Sequence, residues 1–248
     1  MTIAEAKNDR AMWLKGPACG CSVPAPNRTR PYRLILLGAP GVGKGTQAEL
    51  IAARLGTCHL STGDVFRTAK GLSDAQRSPA MTDALGYMKR GELVPDATVL
   101  AMVRERTACL CCGGGFLLDG FPRTVAQAEA LQQLLSENNI KIDAVLDYRL
   151  PLDEIVSRLS GRRTCEKCKA VFHVTGRPPK VEGVCDQCSG KLIQREDDRP
   201  EAIKIRMAAY TEQTSPLTSF YEKLGLLVAV DANGSPDQIF ERTMKLIK

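Results

Sequence analysis

Gly38-Ala39-Pro40-Gly41-Val42-Gly43-Lys44-Gly45-Thr46 decides how this chain reads. The stretch follows four apolar residues, Leu34-Ile35-Leu36-Leu37, and opens a segment in which Leu50, Ile51 and Leu55 share one helical face. A short buried strand, a glycine-rich turn and a helix, in that order, are the layout of a phosphate-binding loop. Glycines let backbone N–H groups turn toward one anion, and a helix N-terminus adds partial positive charge. Lys44 supplies a point charge for β- and γ-phosphates. One residue is out of place. The common motif sets Ser or Thr directly after Lys, and here Gly45 precedes Thr46.

Outward from the loop, apolar strands alternate with amphipathic helices. Leu34–Leu37 is a strand, and about 44–55 a helix. Phe116-Leu117-Leu118 is a second strand ending in Asp119, followed by a helix with Val125, Ala128, Leu131 and Leu135 at helical spacing. Ala144-Val145-Leu146 reads as a strand and Asp153–Ser160 as a short helix. A long helical stretch from Pro200 carries Ile203, Met207 and Tyr210, with Pro216 set to kink or divide it. Leu226–Val230 is a last strand and Pro236–Lys248 a last helix. This alternation predicts an α/β fold, a parallel sheet covered on both faces. Its ligands sit at the carboxyl ends of the strands, where the glycine loop and Asp119 both fall. Residues 1–30 hold Gly16, Pro17, Gly20, Pro24 and Pro26 without a sustained period and read as a flexible tail.

A chain of 248 residues with 44% hydrophobic composition can bury a full core, as one domain with insertions or as two. The net charge of +6 suits an anionic partner, nucleotide or nucleic acid, or is a solvated surface with no such meaning. No apolar run reaches the ~18 residues of a membrane span. Ala11-Met12-Trp13-Leu14 is too short for a signal peptide, and Glu5 and Asp9 argue against a transit peptide. A cytoplasmic protein is expected, in which the 10 cysteines serve as metal ligands or reduced thiols rather than disulfides.

Asp119, closing a strand, can hold Mg²⁺ beside the phosphates that Lys44 contacts. The alternative is a helix N-cap. Arg67, Arg123, Arg158, Arg162, Arg195 and Arg206 lie near element ends or in the irregular stretch 161–195. Hydrolysis needs an activated water. An acceptor that is itself a phosphate needs no base, only positive charge against repulsion, and guanidinium groups supply it. The two histidines, His59 and His173, have no neighbouring Ser or Cys arranged as a nucleophile dyad and are assigned to structure or contacts. Cys165, Cys168, Cys185 and Cys188 form two C-x2-C pairs sixteen residues apart, the spacing of a closed four-cysteine zinc site, which iron also fits. Arg162, Arg163, Lys167 and Lys169 offset its charge. Cys19, Cys21, Cys109, Cys111 and Cys112 lack paired spacing, and Cys58 reads as buried.

These segments together resemble the adenylate kinases, nucleoside monophosphate kinases with a metal-binding lid. Gly38–Gln47 is similar to that family's glycine loop, in which Lys-Gly-Thr replaces Lys-Thr. Ser61-Thr62-Gly63-Asp64 followed by Arg67, and Gly91-Glu92-Leu93-Val94-Pro95-Asp96, resemble the two edges of its monophosphate-binding region. Gly115–Thr124, reading GFLLDGFPRT, with Gln127 beyond it, resembles the family signature. Ser160-Gly161-Arg162-Arg163 and Gln194-Arg195-Glu196-Asp197-Asp198 frame the cysteine insert as the lid is framed. The likeness covers residues 31–248. The tail, the stretch near Ser73–Pro79 and Cys109-Leu110-Cys111-Cys112 with its glycines depart from it.

The resemblance implies a parallel five-stranded P-loop sheet built from 31–60, 95–157 and 196–248, a monophosphate-binding insertion at 61–94 and a zinc-binding lid at 158–195. It implies reversible Mg²⁺-dependent transfer of the γ-phosphoryl group of ATP to AMP, giving two ADP, by a cytoplasmic monomer with no nucleic-acid or membrane partner. Gly41, Val42, Gly43, Lys44, Gly45 and Thr46 would hold ATP phosphates, with Arg158 and Arg162 reaching ATP from the lid. Thr62, Arg67, Val94, Gly120, Arg123 and Gln127 would hold AMP, Gln127 reading the adenine edge. Arg195 and Arg206 would bridge the two nucleotides and act with Lys44, Arg123 and Arg158 in transfer. Asp64 and Asp119 would position Mg²⁺ through water. A kinase for UMP or CMP is the near rival, against which Gln127 and the long lid argue. A nucleic-acid module built on the cysteine ribbon is the distant one, and Phe172 alone supplies no aromatic–basic interleaving.

Overall fold

Leu34 and Leu36 point to one side of the central strand, Ile35 and Leu37 to the other, and the chain builds a separate apolar core on each face. A computed structural model describes residues 30–69, 79–90, 92, 94–104, 110–111 and 113–247, of which 66–69, 79–81, 83 and 88 by backbone alone. The tail to residue 29, most of the Ser73–Pro79 stretch, Cys109 and Cys112 lie outside the described residues.

Strand β1 (Tyr32–Leu37) leads through the glycine loop into α1 (Lys44–Leu55). Then come β2 (Cys58–Ser61), α2 (Thr62–Ala69), α3 (Pro79–Arg90), α4 (Asp96–Arg104), β3 (Gly115–Asp119) and α5 (Val125–Glu137). Next are β4 (Ala144–Arg149) and α6 (Leu152–Ser160), then three short strands, β5 (Arg162–Cys165), β6 (Val171–His173) and β7 (Leu192–Ile193). The chain closes with α7 (Pro200–Ala209), α8 (Pro216–Lys223), β8 (Leu227–Asp231) and α9 (Pro236–Leu246). A π-helical turn, Tyr210–Thr214, links α7 to α8, and Pro216 opens α8, so the expected division falls where the proline sets it.

The main sheet has five strands in the order β2-β3-β1-β4-β8, all pairs parallel. The expected α/β architecture is present. Periodicity alone marks four of its strands. The fifth, β2, is only four residues, and polar His59 and Ser61 interrupt its apolar run, yet all four are buried against β3. The chain leaves β1 to one side for β2 and β3, and to the other for β4 and β8. That change of direction opens a crevice at the carboxyl end of β1. The register sets Asp119 beside both Leu36 and Ser61, so the ends of β1, β2 and β3 share one edge of the crevice.

The three short strands form an antiparallel sheet, β6-β5-β7, over the crevice. Its core is Cys165, Ala170, Phe172, Cys185 and Leu192. No described helix is long and apolar enough to cross a membrane.

Candidate active site

The glycine loop takes its shape from backbone conformations that side chains resist. Gly41 has φ 91°, and a Cβ there would lie 2.7 Å from Leu159. Gly43, at φ 102°, is the N-cap of α1, so the first N–H groups of that helix face the crevice. Gly45 is different. A Cβ there would meet Asp119 Oδ2 at 3.8 Å, ordinary contact, so space does not force glycine after Lys44.

Lys44 Nζ donates to the carbonyls of Gly38 at 2.6 Å and Ala39 at 2.9 Å. Burial lowers its pKa to about 8, against the pull of Asp119 and with repulsion from Arg123, Arg206 and Arg162. Burial pushes the Asp119 carboxyl up, but the His59 imidazole and the Lys44 ammonium outweigh that and Asp64, and hold it below the usual range. His59 Nε2 lies 3.6 Å from Asp119 Oδ2 and has no hydrogen-bond partner of its own. Asp119 is not a helix cap. Thr124 caps α5, its hydroxyl accepting from Gln127 N. Asp119, beside Lys44, and Asp64, on the lining of the same cavity, offer carboxylate oxygens, a donor set that suits Mg²⁺.

A cavity of about 520 Å³ lies over these groups. Gly41, Gly43, Lys44, Gly45, Thr46, Asp64 and Asp119 line its floor, and Val171, Phe172 and His173 of β6 line its roof. Arg123, Arg158, Arg162, Arg195 and Arg206 all open onto it. Val42 does not. Its side chain is buried in the core, its carbonyl accepts from Arg158 Nη1 at 3.4 Å, and its N–H donates to Ala39 O at 3.4 Å. Arg158 belongs to α6 and also donates to Ala232 O at 3.0 Å, so it is anchored to the main body rather than to the three-stranded sheet.

Three of these arginines are held by residues around β5 and the short turn after β7. Arg162 makes a two-pronged ion pair with Asp198, with Nε 2.7 Å from Oδ2. Arg206 Nη1 reaches the same carboxylate at 3.1 Å and Asp197 Oδ2 at 3.1 Å. Arg195 Nε donates to Thr164 Oγ1 at 2.8 Å. Asp198 is fully buried, and its charge keeps two guanidinium groups side by side.

A smaller cavity adjoins the first, lined by Thr62, Glu92, Val94, Val99, Gly120, Arg123 and Gln127. Thr62 Oγ1 donates to Gly120 O at 2.9 Å, and Arg123 Nε donates to the same carbonyl at 2.8 Å. Glu92, Gly120 and Arg123 belong to both cavities. The structure gives backbone alone for Arg67, which lies on α2.

The sulfur atoms of Cys165, Cys168, Cys185 and Cys188 lie within 4.8 Å of one another. Bonds of ~2.3 Å to a central tetrahedral metal set sulfurs ~3.8 Å apart, so the cluster fits one. Backbone N–H groups of Cys168 and Gln187 donate to Cys165 and Cys185 sulfur at 3.4 Å. A Cβ at Gly190 would lie 2.9 Å from Cys165 sulfur, so glycine keeps this space clear. Among the described residues no other such cluster occurs.

The family model described as adenylate kinase matches residues 36–226. The chain belongs to the adenylate kinase family. It is 49% identical over 208 residues to an adenylate kinase of Carboxydothermus hydrogenoformans, covering 84% of this chain and 95% of that one. It is 48% identical over 216 residues to that of Thermodesulfovibrio yellowstonii, covering 87% and 99%. Against that of Caldicellulosiruptor bescii it is 49% identical over 217 residues, covering 87% and 97%. The four-cysteine cluster agrees with the metal-binding, long-lid type within this family of phosphotransferases.

Sequence reasoning missed the roles of Asp198 and His59. Asp198 stood in a quoted segment, and its signal was a carboxylate pair among arginines. Burial makes it matter. Asp198→Ala leaves Arg162 and Arg206 facing each other without their shared counter-charge, and should cost about 3–5 kcal/mol in chemical denaturation. A surface-like loss below ~1 kcal/mol would remove Asp198 from this role. A chelator strong enough to strip the cysteine cluster should lower Tm by about 5–10 °C, with reloading restoring it. An unchanged melting curve would show that no metal supports this sheet.

Proposed function

We propose that this chain transfers the γ-phosphoryl group of ATP to AMP, reversibly and with Mg²⁺, giving two ADP. The observation that carries the reading is the meeting of two cavities at Glu92, Gly120 and Arg123, beneath a ring of arginines. A donor phosphate on the glycine loop and an acceptor phosphate from the smaller cavity would meet there. The acceptor is already anionic, so no base is required. Arg123 spans both sides, Arg158 comes from α6, and Arg162, Arg195 and Arg206 close the ring. Fixed guanidinium groups stabilise the charge spread over the transferring group without reorganising. Arg67 on α2 belongs to the acceptor side in this reading.

Asp119 and Asp64 would hold Mg²⁺ through water, where it offsets charge on the β- and γ-oxygens. Residues 61–94 form the monophosphate-binding region. The lid spans 158–195, its mobile part the antiparallel sheet beyond Gly161. Closing that sheet over both nucleotides excludes water as a competing acceptor. Four thiolates suit Zn²⁺, which would replace the hydrophobic core that five residues cannot provide. The same reading carries a cytoplasmic monomer acting on free nucleotides.

The test is a panel. With ATP and Mg²⁺, AMP should be converted to diphosphate faster than UMP, CMP or GMP, and activity with UMP equal to AMP would overturn the specificity. Lys44→Ala and Arg123→Ala should each lower kcat by about 10²–10³-fold, the scale of removing one transition-state contact. A normal kcat in either would misplace the transfer site.

Lys44 adds a pH dependence. Its pKa of about 8 in the free protein must rise beside a polyphosphate, so the complex binds more protons than the free protein above that pH. ATP binding should take up part of a proton near pH 9 and none near pH 7, and affinity should fall as pH climbs past 8. Calorimetry in buffers of different ionisation enthalpy reads this directly. Equal uptake in Lys44→Met would assign the proton elsewhere.

A further inference from the structure

We propose that Asp96 sets the choice of acceptor base by fixing which way the Gln127 amide faces. The inference rests on the phosphotransfer reading and on Gln127 as the group that meets the base. Gln127 is buried, 1% exposed, yet lines the smaller cavity. Its Oε1 accepts from Arg123 N at 2.8 Å, and its Nε2 donates to Asp96 Oδ1 at 2.6 Å. A backbone N–H can only donate and a carboxylate can only accept. Exchanging the amide oxygen and nitrogen would set donor against donor at Arg123 and acceptor against acceptor at Asp96. The orientation is therefore fixed by chemistry.

Asp96 is itself fixed. It stands in the first turn of α4, and its second oxygen accepts from Thr124 Oγ1 at 2.9 Å. The same hydroxyl accepts from Gln127 N at 3.1 Å, so Asp96, Thr124 and Gln127 close a ring of hydrogen bonds between α4 and α5. After these bonds Gln127 has one N–H and one oxygen lone pair left. That pair matches a base presenting one donor beside one acceptor.

Adenine presents an N6 donor and an N1 acceptor on this edge. Hypoxanthine and guanine present the reverse, an O6 acceptor and an N1–H donor. With ribose and phosphate held in place, a base cannot turn over to correct the mismatch. A free amide can rotate to suit either pattern, whereas one locked by Asp96 serves only one. Asp96 is then a positioning residue that turns a permissive amide into a selective one. Sites that hydrogen-bond a substrate group reject analogues with the wrong pattern far better than apolar pockets reject shape changes. Cytosine shares adenine's pattern, so this device separates purines from one another, and ring size must exclude cytosine.

The test compares AMP with inosine monophosphate, whose base has nearly adenine's size and the opposite polarity. Turnover with each is measured at saturating ATP in the full-length protein. In Asp96→Ala the AMP-to-IMP ratio of kcat/KM should fall about 10- to 100-fold, the range for one charge-assisted hydrogen bond. The change should lie in KM for the monophosphate, with KM for ATP unmoved. Asp96→Asn keeps an acceptor oxygen toward Gln127 but loses the charge, and its ratio should fall less, about threefold. Should the alanine variant not fold, the asparagine variant decides. A ratio unchanged in the folded variants overturns the proposal, and so does a loss confined to Tm. A wild-type protein that does not phosphorylate AMP overturns the phosphotransfer reading and this inference with it, whereas an unchanged ratio in an active enzyme overturns this inference alone.

Discussion

Like charges crowded into one cavity are the constraint on which this structure turns. Lys44, Arg123, Arg158, Arg162, Arg195 and Arg206 all face the same space. Their mutual repulsion is visible in Lys44, whose pKa is lowered by burial and further by three of those arginines. The fold meets the repulsion with buried counter-charge. Asp119 stands behind Lys44, and Asp198 stands between Arg162 and Arg206. Counter-charge also fixes geometry, because a carboxylate with both oxygens engaged leaves a guanidinium plane little freedom. The cations are thereby aimed before any phosphate arrives, which is how an electrostatic site works without reorganising.

The parallel sheet puts these groups within reach of one another. Residues far apart in sequence end their strands at one edge because β1 lies between β3 and β4. The three-stranded sheet is a different kind of object. Five buried residues cannot fold a segment of its length, and two of the five are cysteines of the cluster. The main body rests on apolar area, whereas this sheet is packed around four cysteines, so the roof and the floor of the cavity are built on different terms.

Much of this was legible in the residues. The glycine loop and the strand ending in Asp119 each carry their meaning within about ten residues, and the two C-x2-C pairs carry theirs in their spacing between Cys165 and Cys188. What was not legible arises from pairing across the chain. The strand β2 has too few residues and too many polar ones to show a period, and only its ladder with β3 makes it a strand. His59 reads as an ordinary histidine until β2 sets it against Asp119. Asp198 looks like a surface carboxylate until α7 and β5 close over it. Asp96 looks like an ordinary first-turn acid until α5 brings Gln127 to it. Val42 is the reverse case. Its place in the motif suggests a contact, and its side chain serves the core.

The two hydrogen bonds that Lys44 makes to Gly38 and Ala39 carbonyls have a consequence for recognition. The ammonium folds back on its own loop and ties two of its carbonyls to one nitrogen. On the proposed phosphotransfer reading, an incoming polyphosphate meets a turn already ordered by these bonds, and the lysine exchanges two neutral oxygens for charged ones. The entropy of ordering the loop is lost during folding, when apolar packing drives the process, and not at the moment of capture. Binding there becomes a swap of partners around one nitrogen atom.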